Sequence, residues 1–352
     1  MTMRVSGLIK AGAAALALFA AATPGAAMAD VADLYKGKTL TILIGHPPGG
    51  SYDLYAQLTA AHFSKFVPGN PDVIVQHMPG GGGRKGAAFF YNKTAPDGLT
   101  VAVLPDTLGH IQLLTPKRAD WDARNFRYIG RYASANSAFA IRKGAPAQTT
   151  DEMAHKETIV ACTGKAARSA QMPALVENVL GYKYRLICGY KGSSASKIAM
   201  LRGEVDMFSA NWATFKANDT DAIADGTIKI VMQAGVDRDP DLPDVPLLQD
   251  LTDDPKAKRL LRFASSAAPL GRSMMAAPGT PEEVITALRK AFQEMVKDPD
   301  FLADAAKRQA IIDPATGEAM EAVNAEIMSA DPELVAATIA AMDTSKASEK
   351  AN

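Results

Sequence analysis

Five segments of this sequence place glycines and hydroxyl side chains directly after apolar, β-branched runs: Gly45-His46-Pro47-Pro48-Gly49-Gly50-Ser51-Tyr52-Asp53, Pro79-Gly80-Gly81-Gly82-Gly83-Arg84-Lys85-Gly86, Pro105-Asp106-Thr107, Thr163-Gly164-Lys165-Ala166-Ala167-Arg168-Ser169 and Gly189-Tyr190-Lys191-Gly192-Ser193-Ser194. Glycine lets backbone N–H groups approach a ligand closely. Free amides at a helix N-terminus, with the dipole behind them, hold an anion without help from a cationic side chain. Ser51 can add a hydroxyl donor. Each hydrogen bond to a charged group contributes roughly 1.5 to 3 kcal/mol, so several converging on a carboxylate support micromolar or tighter binding after association costs. Small carboxylates fit this supply of donors. The plainer reading of the first segment is that Gly50 and Ser51 only turn the chain and cap the next helix.

Other chemistries fail on position or spacing. Gly81, Gly83 and Gly86 satisfy G-x-G-x-x-G, with Asp106 about 20 residues on, as in a dinucleotide fingerprint. That fingerprint belongs on the first βα turn, and Asp106 follows Pro105 in a loop. Gly37-Lys38-Thr39 imitates the end of a phosphate-binding loop, but Ala32 stands where its first glycine must be and a strand follows. No G-x-S-x-G occurs; Gly192-Ser193-Ser194-Ala195-Ser196 lacks the final glycine. His46 lies in the first loop, as a base, a ligand donor or a structural histidine, while His62 falls on the first helix and His77 ends a strand. The loops are rich in donors and poor in acids, so a paired-carboxylate mechanism has no anchor. Two cysteines and five scattered histidines give no metal-ligand spacing, and no metal or cofactor is expected. Arg168 is either a distal counter-ion or an exposed arginine at a helix start. Tyr52, Tyr55 and the Asn211-Trp212 pair either face an aromatic ligand ring or form core and cleft wall.

These loops must be held by elements, and the periodicity supplies them. Strands are expected at Thr39 to Ile44, Asp72 to His77, Leu99 to Leu104, Phe139 to Arg142, Thr158 to Thr163, Tyr184 to Cys188, Val205 to Ser209 and Ile228 to Gln233, with helices such as Tyr52 to Phe66 and Ser194 to Glu204 between them. That alternation is the pattern of βαβ units around a parallel sheet. Asp239 to Pro246, with its prolines and aspartates, reads as a surface loop or an interdomain crossing. A strand-like stretch near Ser265 to Ala276 is then followed by helices only, around Glu282 to Lys297, Pro299 to Gln309, Gly317 to Met328 and Pro332 to Met342. The first of these opens at Thr280-Pro281-Glu282-Glu283, a capping box with proline at N1. The expected architecture is α/β, with a ligand cleft between a discontinuous domain, 30–135 and 262–343, and a continuous one, 136–261. Residues 344–352 are left as a tail. Donor loops at the carboxyl ends of strands in both domains would face each other across that cleft.

The 352 residues carry 38 Lys+Arg against 38 Asp+Glu, with 47% hydrophobic and 22% charged. This composition excludes disorder, collagen and coiled coil, and the length suggests two domains. With no basic run longer than two residues, nucleic acid is not an expected partner. Arg4 and Lys10 precede an Ala-rich apolar run from Ala11 to Ala22 and then Ala27-Met28-Ala29, which reads as a signal peptide, residues 1–29, cleaved before Asp30. An uncleaved anchor is the alternative, but the run is short of the roughly 20 residues a span needs. Export gives the cysteines a meaning: Cys162 and Cys188 end two expected strands, and either pair as a disulfide or stay as buried thiols.

The loop sequences also carry a resemblance. Pro48-Gly49-Gly50-Ser51-Tyr52-Asp53-Leu54-Tyr55-Ala56, Pro79-Gly80-Gly81-Gly82-Gly83 with Ala95-Pro96-Asp97-Gly98, Gly189-Tyr190-Lys191-Gly192 with Gly203-Glu204-Val205-Asp206, Leu242-Pro243-Asp244-Val245-Pro246, and Ala277-Pro278-Gly279-Thr280-Pro281 occur in that order. Over nearly the whole mature chain the sequence resembles the substrate-binding proteins of tripartite tricarboxylate transporters, the Bug-type receptors. The resemblance implies a monomeric periplasmic-binding-protein fold of the flytrap kind, which closes on a small carboxylate, di- or tricarboxylate or aromatic, and delivers it to a membrane permease without catalysis. In such receptors the first two loops cradle a carboxylate, which maps onto Gly49, Gly50, Ser51, Tyr52, Gly82 and Gly83. The second domain would add Thr163, Gly164, Ser169, Gly192 and Ser193, and Thr107, Arg168 and Tyr190 complete the candidate set. Asp53 is expected to hold the loop or ordered water. The fourth loop departs from the family in carrying Lys165 and Arg168 where small and hydroxyl residues are commoner. A secreted α/β enzyme, or a binding protein coupled to a sensor, is the alternative.

Overall fold

The computed structural model describes residues 31–165 and 167–345. The expected signal peptide and its cleavage point, Ala166 of the fourth loop and residues 346–352 of the expected tail lie outside them.

Two mixed sheets organise the chain. The first contains β1 (Thr39–Ile44), β2 (Asp72–His77), β3 (Thr100–Val103), β4 (Arg127–Ala133), β10 (Arg272–Ala276) and β11 (Ala315–Thr316), in the order β11-β4-β10-β3-β1-β2. The second contains β5 (Ser137–Arg142), β6 (Thr158–Cys162), β7 (Tyr184–Cys188), β8 (Met207–Asn211) and β9 (Ile228–Ala234), in the order β7-β6-β8-β5-β9. The helices used below are α1 (Ser51–His62), α2 (Arg84–Lys93), α3 (Leu108–Leu114), α4 (Arg168–Leu180), α5 (Ser193–Leu201), α6 (Trp212–Asn218), α7 (Pro255–Ser265), α8 (Glu282–Met295), α9 (Pro299–Lys307), α10 (Gly317–Met328) and α11 (Pro332–Ala341). No helix among the described residues is long and apolar enough to cross a membrane.

The parallel pattern holds for β1 with β2 and β3, and for β6 with β7 and β8. It fails for β10, antiparallel to both β3 and β4, and for β5, antiparallel to β8 and β9. The reason is topological. Both reversed strands are the first to enter a sheet after the chain crosses from the other one, so they arrive at the edge where the parallel strands end and must run away from it. The two crossings lie side by side, with the Ala135 N–H donating to the Ala268 carbonyl at 2.9 Å.

Strand β4 has no counterpart among the sequence expectations. Its sequence, RYIGRYA, breaks apolar alternation with two arginines and a glycine. Both arginines are paired, Arg127 with Glu321 and Glu282, and Arg131 with Asp313. Gly130 is required by close packing: a Cβ there would stand 2.3 Å from Phe292 Cδ1 of α8. The expected strand at Val205 to Ser209 is displaced to β8. Helix α8 begins at Glu282 with Pro281 as its N-cap, and Thr280 donates its hydroxyl to the Ala277 carbonyl, so the expected capping box does not form. The Asp239 to Pro246 segment folds back on β9: Gln233 Nε2 donates to the carbonyls of Leu242 and Val245, at 3.0 and 2.8 Å. It is a loop and not a crossing.

Apolar side chains cover both faces of each sheet. Leu40, Ile42 and Ile44 pack with Tyr55 and Leu58 of α1 and with Ile285, Leu288 and Phe292 of α8. Leu43 and Ala102 point the other way, toward Phe90, Phe126 and Ile327, as the two-residue period of a strand requires. In the second sheet Phe139, Val160 and Met207 meet Leu175 of α4, and Ala138, Ala161 and Phe208 meet Met200 and Phe215. Helix α11 touches α3 on one side and α4 on the other. Asn178 of α4 fixes its end by donating to the carbonyls of Ala341 and Asp343, at 2.9 and 3.1 Å.

Candidate functional site

Strands β1, β2 and β3 are paired so that Ile44 stands beside His77 and Val103, which places the first three loops on one edge. There they interlock through backbone contact. A Cβ on Gly45 would lie 2.9 Å from Gly83 Cα, and one on Gly83, whose φ is +90°, would lie 2.4 Å from Pro105 Cγ. Gly83 is buried in this junction and gives shape to the site, whereas Gly82 is exposed and open.

Asp53 fastens the first loop. Its carboxylate accepts from the Gly49 N–H at 2.8 Å, from Gln57 at 3.2 Å and from His77 Nε2 at 2.8 Å. Burial alone would raise its pKa, but these bonds outweigh it and hold the carboxyl below the usual range. The Gly49 amide is therefore spent on the loop. The first backbone bond of α1 runs from the Leu54 N–H to the Gly50 carbonyl, and no side chain caps the helix. The amides of Ser51, Tyr52 and Asp53 thus have no acceptor within the helix.

Tyr52 is the centre of a three-layer stack. The His46 ring lies parallel to it, centroids 4.2 Å apart and planes within 1°. The Arg272 guanidinium lies 4.1 Å from the same centroid, and two groups at that height must occupy opposite faces. The phenol reaches Asp106 Oδ1 at 3.4 Å, and burial pushes its pKa up. His46 is driven down to about 4, by burial and then by the charge of Arg272. Arg272, only 9% exposed, donates from Nε to Ser51 Oγ at 2.9 Å. Sequence reasoning missed it. The signal was positional: the first residue of a strand returning from the other sheet stands at the loop edge.

In the second sheet Cys162 and Cys188 are register partners and form a disulfide, with Cα atoms 4.4 Å apart. The alternative of two thiols is closed. The bond lies at the base of the fourth and fifth loops, and the amides of Gly189 and Tyr190 also donate to the Cys162 carbonyl. The Thr163 N–H donates to Ser169 Oγ at 3.1 Å, and the two hydroxyls lie 3.0 Å apart, so this loop closes on itself with Gly164 half-buried beside it. Arg168 opens α4 and leans toward the first sheet. Its Nη2 approaches the Ala264 carbonyl at 3.4 Å, and burial lowers its pKa while the charge of Asp106 works against that. Gly192, with φ +92°, precedes Ser193 at the start of α5. Among the described residues no hydrogen bond joins Tyr190, Gly192 or Ser193 to the first three loops, and Tyr190 packs with the apolar cluster on its own sheet. Trp212 and Tyr55 are buried, Trp212 donating to Asp241 and Tyr55 to the Ile311 carbonyl.

A groove of about 930 Å³ runs between the two sheets, lined by Gly82, Thr107 and His110 on one side and by Arg168, Gln171 and Met172 on the other. His110 was also missed, having no motif around it. It is 5% exposed, and its Nε2 faces the Phe263 carbonyl at 2.9 Å. A carbonyl can only accept, so Nε2 carries the proton and Nδ1 is left buried without a partner. Burial, and then the charge of Arg168, lower its pKa to about 4.

Comparison with known proteins agrees with this architecture. The UPF0065 protein in the gbd 5' region of Cupriavidus necator is 26% identical over 304 residues, spanning 84% of this chain and 85% of that protein. A TctC solute binding protein from Polaromonas superposes with a TM-score of 0.66 at 22% identity, covering 86% of this chain and 99% of that one. MatC from Rhodopseudomonas palustris, solved with bound malate, superposes with a TM-score of 0.61 at 22% identity, over 85% and 99%. Residues 69–324 match the family model described as tripartite tricarboxylate transporter family receptor. With that match covering most of its length, the chain belongs to the tripartite tricarboxylate transporter receptor family.

Proposed function

We propose that this protein is a periplasmic receptor that binds a small organic carboxylate between its two sheets and hands it to the permease of a tripartite tricarboxylate-type transporter, without catalysing a reaction. In this reading residues 30–135 with 262–343 form one closing unit and 136–261 the other. The observation that carries it is the first-turn face of α1. There, among the described residues, the amides of Ser51, Tyr52 and Asp53 have no acceptor, behind a loop that Asp53 fastens. Hydroxyls and amides of Thr163, Gly164, Ser169, Gly192 and Ser193 supply the facing wall. A ligand touching both walls stabilises the closed form by its differential contacts, and that form is what a membrane partner would read. The malate bound to MatC belongs to the same ligand class.

Thermal unfolding of residues 30–352 against aliphatic di- and tricarboxylates, aromatic acids, amino acids and nucleotides tests this. A ligand at 100 times its dissociation constant adds about 2.7 kcal/mol, and a carboxylate response is the expected result. Silence toward every acid, with a response to a nucleotide or an amino acid, overturns the reading.

A further inference from the structure

A buried arginine normally has a carboxylate beside it, because an unpaired charge removed from water is costly. Two other largely covered arginines, Arg131 of β4 and Arg289 of α8, obey this rule: Arg131 pairs with Asp313, and Arg289 with Glu318 and Glu321. Arg272 does not. It is 9% exposed, yet no Asp or Glu among the described residues lies within ion-pair distance of it. Its contacts are the Nε–H bond to Ser51 Oγ and the stack on the Tyr52 ring. Both partners belong to the first turn of α1, where backbone amides also lack acceptors among the described residues. Among the described residues the terminal nitrogens of Arg272 have no hydrogen-bond acceptor.

The fold explains why this charge sits here. Arg272 is the first residue of β10, which enters the sheet at the loop edge and pairs with β3 and β4 as it runs away. The stack on Tyr52 fixes the plane of the guanidinium, and the Ser51 hydroxyl fixes its rotation, leaving the two-pronged end free. That end matches a carboxylate bidentately.

We propose that Arg272 is the charge partner of the ligand, clasping one carboxylate jointly with the first-turn amides of α1, so that the protein selects ionised carboxylates and rejects their neutral amides and esters. This rests on the carboxylate-receptor reading and adds to it the residue that recognises the charge. Neutral donors alone would accept an amide almost as well as an acid. A cation held in waiting does not.

The test uses residues 30–352 carrying Arg272→Met and Arg272→Lys, with malate, succinate, citrate and benzoate as probes and malamide as the neutral control. In wild type, at least one acid raises the midpoint and malamide does not. Arg272→Met is expected to melt at or above the wild-type temperature without ligand, since it removes an unpaired charge, and to bind the responding acid roughly 30-fold or more weakly. Arg272→Lys keeps the charge but loses the fork and the stack, and should fall between. A second readout is the His46 ring, followed by NMR: neutralising Arg272 with a bound acid should raise its pKa from about 4 in wild type and leave it unmoved by the same acid in Arg272→Met. If wild type responds to an acid and Arg272→Met binds it equally well, Arg272 is structural and the proposal falls while the receptor reading stands. A lowered midpoint for Arg272→Met with unchanged acid affinity overturns the proposal in the same way. If no acid shifts wild type, both fall together.

Discussion

His46 and His110 show how single residues here are tuned by what surrounds them. Each is held neutral by burial and by a neighbouring arginine, Arg272 for His46 and Arg168 for His110, with folded pKa values near 4 against 6.5 in the unfolded chain. Between those values the unfolded state binds more protons, so stability is full above about pH 6.5 and is lost as the pH falls toward 4. For the almost fully buried His110 the loss is on the order of 3 kcal/mol across that window. Melting temperature measured from pH 7.5 to 4 should fall with acid, and His110→Gln should flatten the slope; a flat wild-type profile would show that neither ring is held as described. The two residue types differ in how far sequence exposes them. Gly49, Gly50, Ser51 and Asp53 are legible because a glycine pair and a serine before a helical period can only be a loop entering a helix. His110 and Arg272 are not, because their roles come from Phe263 and Tyr52, residues distant in the chain, and no local spacing encodes those contacts.

At the scale of elements, the strands that carry the loops were readable and the strands that carry the crossings were less so. Strands β1, β2, β6 and β7 announce themselves by continuous β-branched or apolar runs. Strand β4 hides behind Arg127, Gly130 and Arg131, whose partners on α8 and α10 and in the segment before β11 lie far along the chain. Direction was harder still, since periodicity reports that a strand exists and says nothing of which end meets its neighbour. Pairing of Cys162 with Cys188 shows the same division: the expected export would permit the bond, and the register of β6 against β7 brings the two together. The disulfide closes a loop between residues 26 apart, for which chain-entropy reasoning gives about 3.5 kcal/mol. Cys162→Ser with Cys188→Ser should lower the melting temperature and speed amide exchange in the Thr163–Ser169 and Gly189–Ser193 loops first. Equal exchange in both proteins would mean that those loops are held by their own hydrogen bonds alone.

For the whole molecule, the expectation of two α/β units came from length and from the recurrence of one loop chemistry in both halves. It contained the helix at Pro332 to Met342 and not its placement: α11 lies against α3 on one side and α4 on the other and is tied to α7 by the Arg259–Asp331 ion pair. In the proposed receptor a helix touching both units would either move with one or bend as they approach, and so would bear on closure as much as on stability. Removing residues 331–352 should leave both sheets folded, as judged by circular dichroism, lower the melting temperature, and weaken acid binding several-fold; unaltered affinity would assign the helix to packing only. Its last residues have a practical meaning too. Ile339, Ala340, Met342, Asp343 and Thr344 line the 930 Å³ groove. A purification tag joined directly after Thr344 would stand beside the groove it is meant to help study. Metal-affinity histidines there would bring titrating imidazoles, and their bound buffer anions, to the rim beside Arg168. Affinities taken from such a fusion would report the tag's competition along with the protein's own preference, and a handle placed before Asp30, or one cleaved before assay, separates the two.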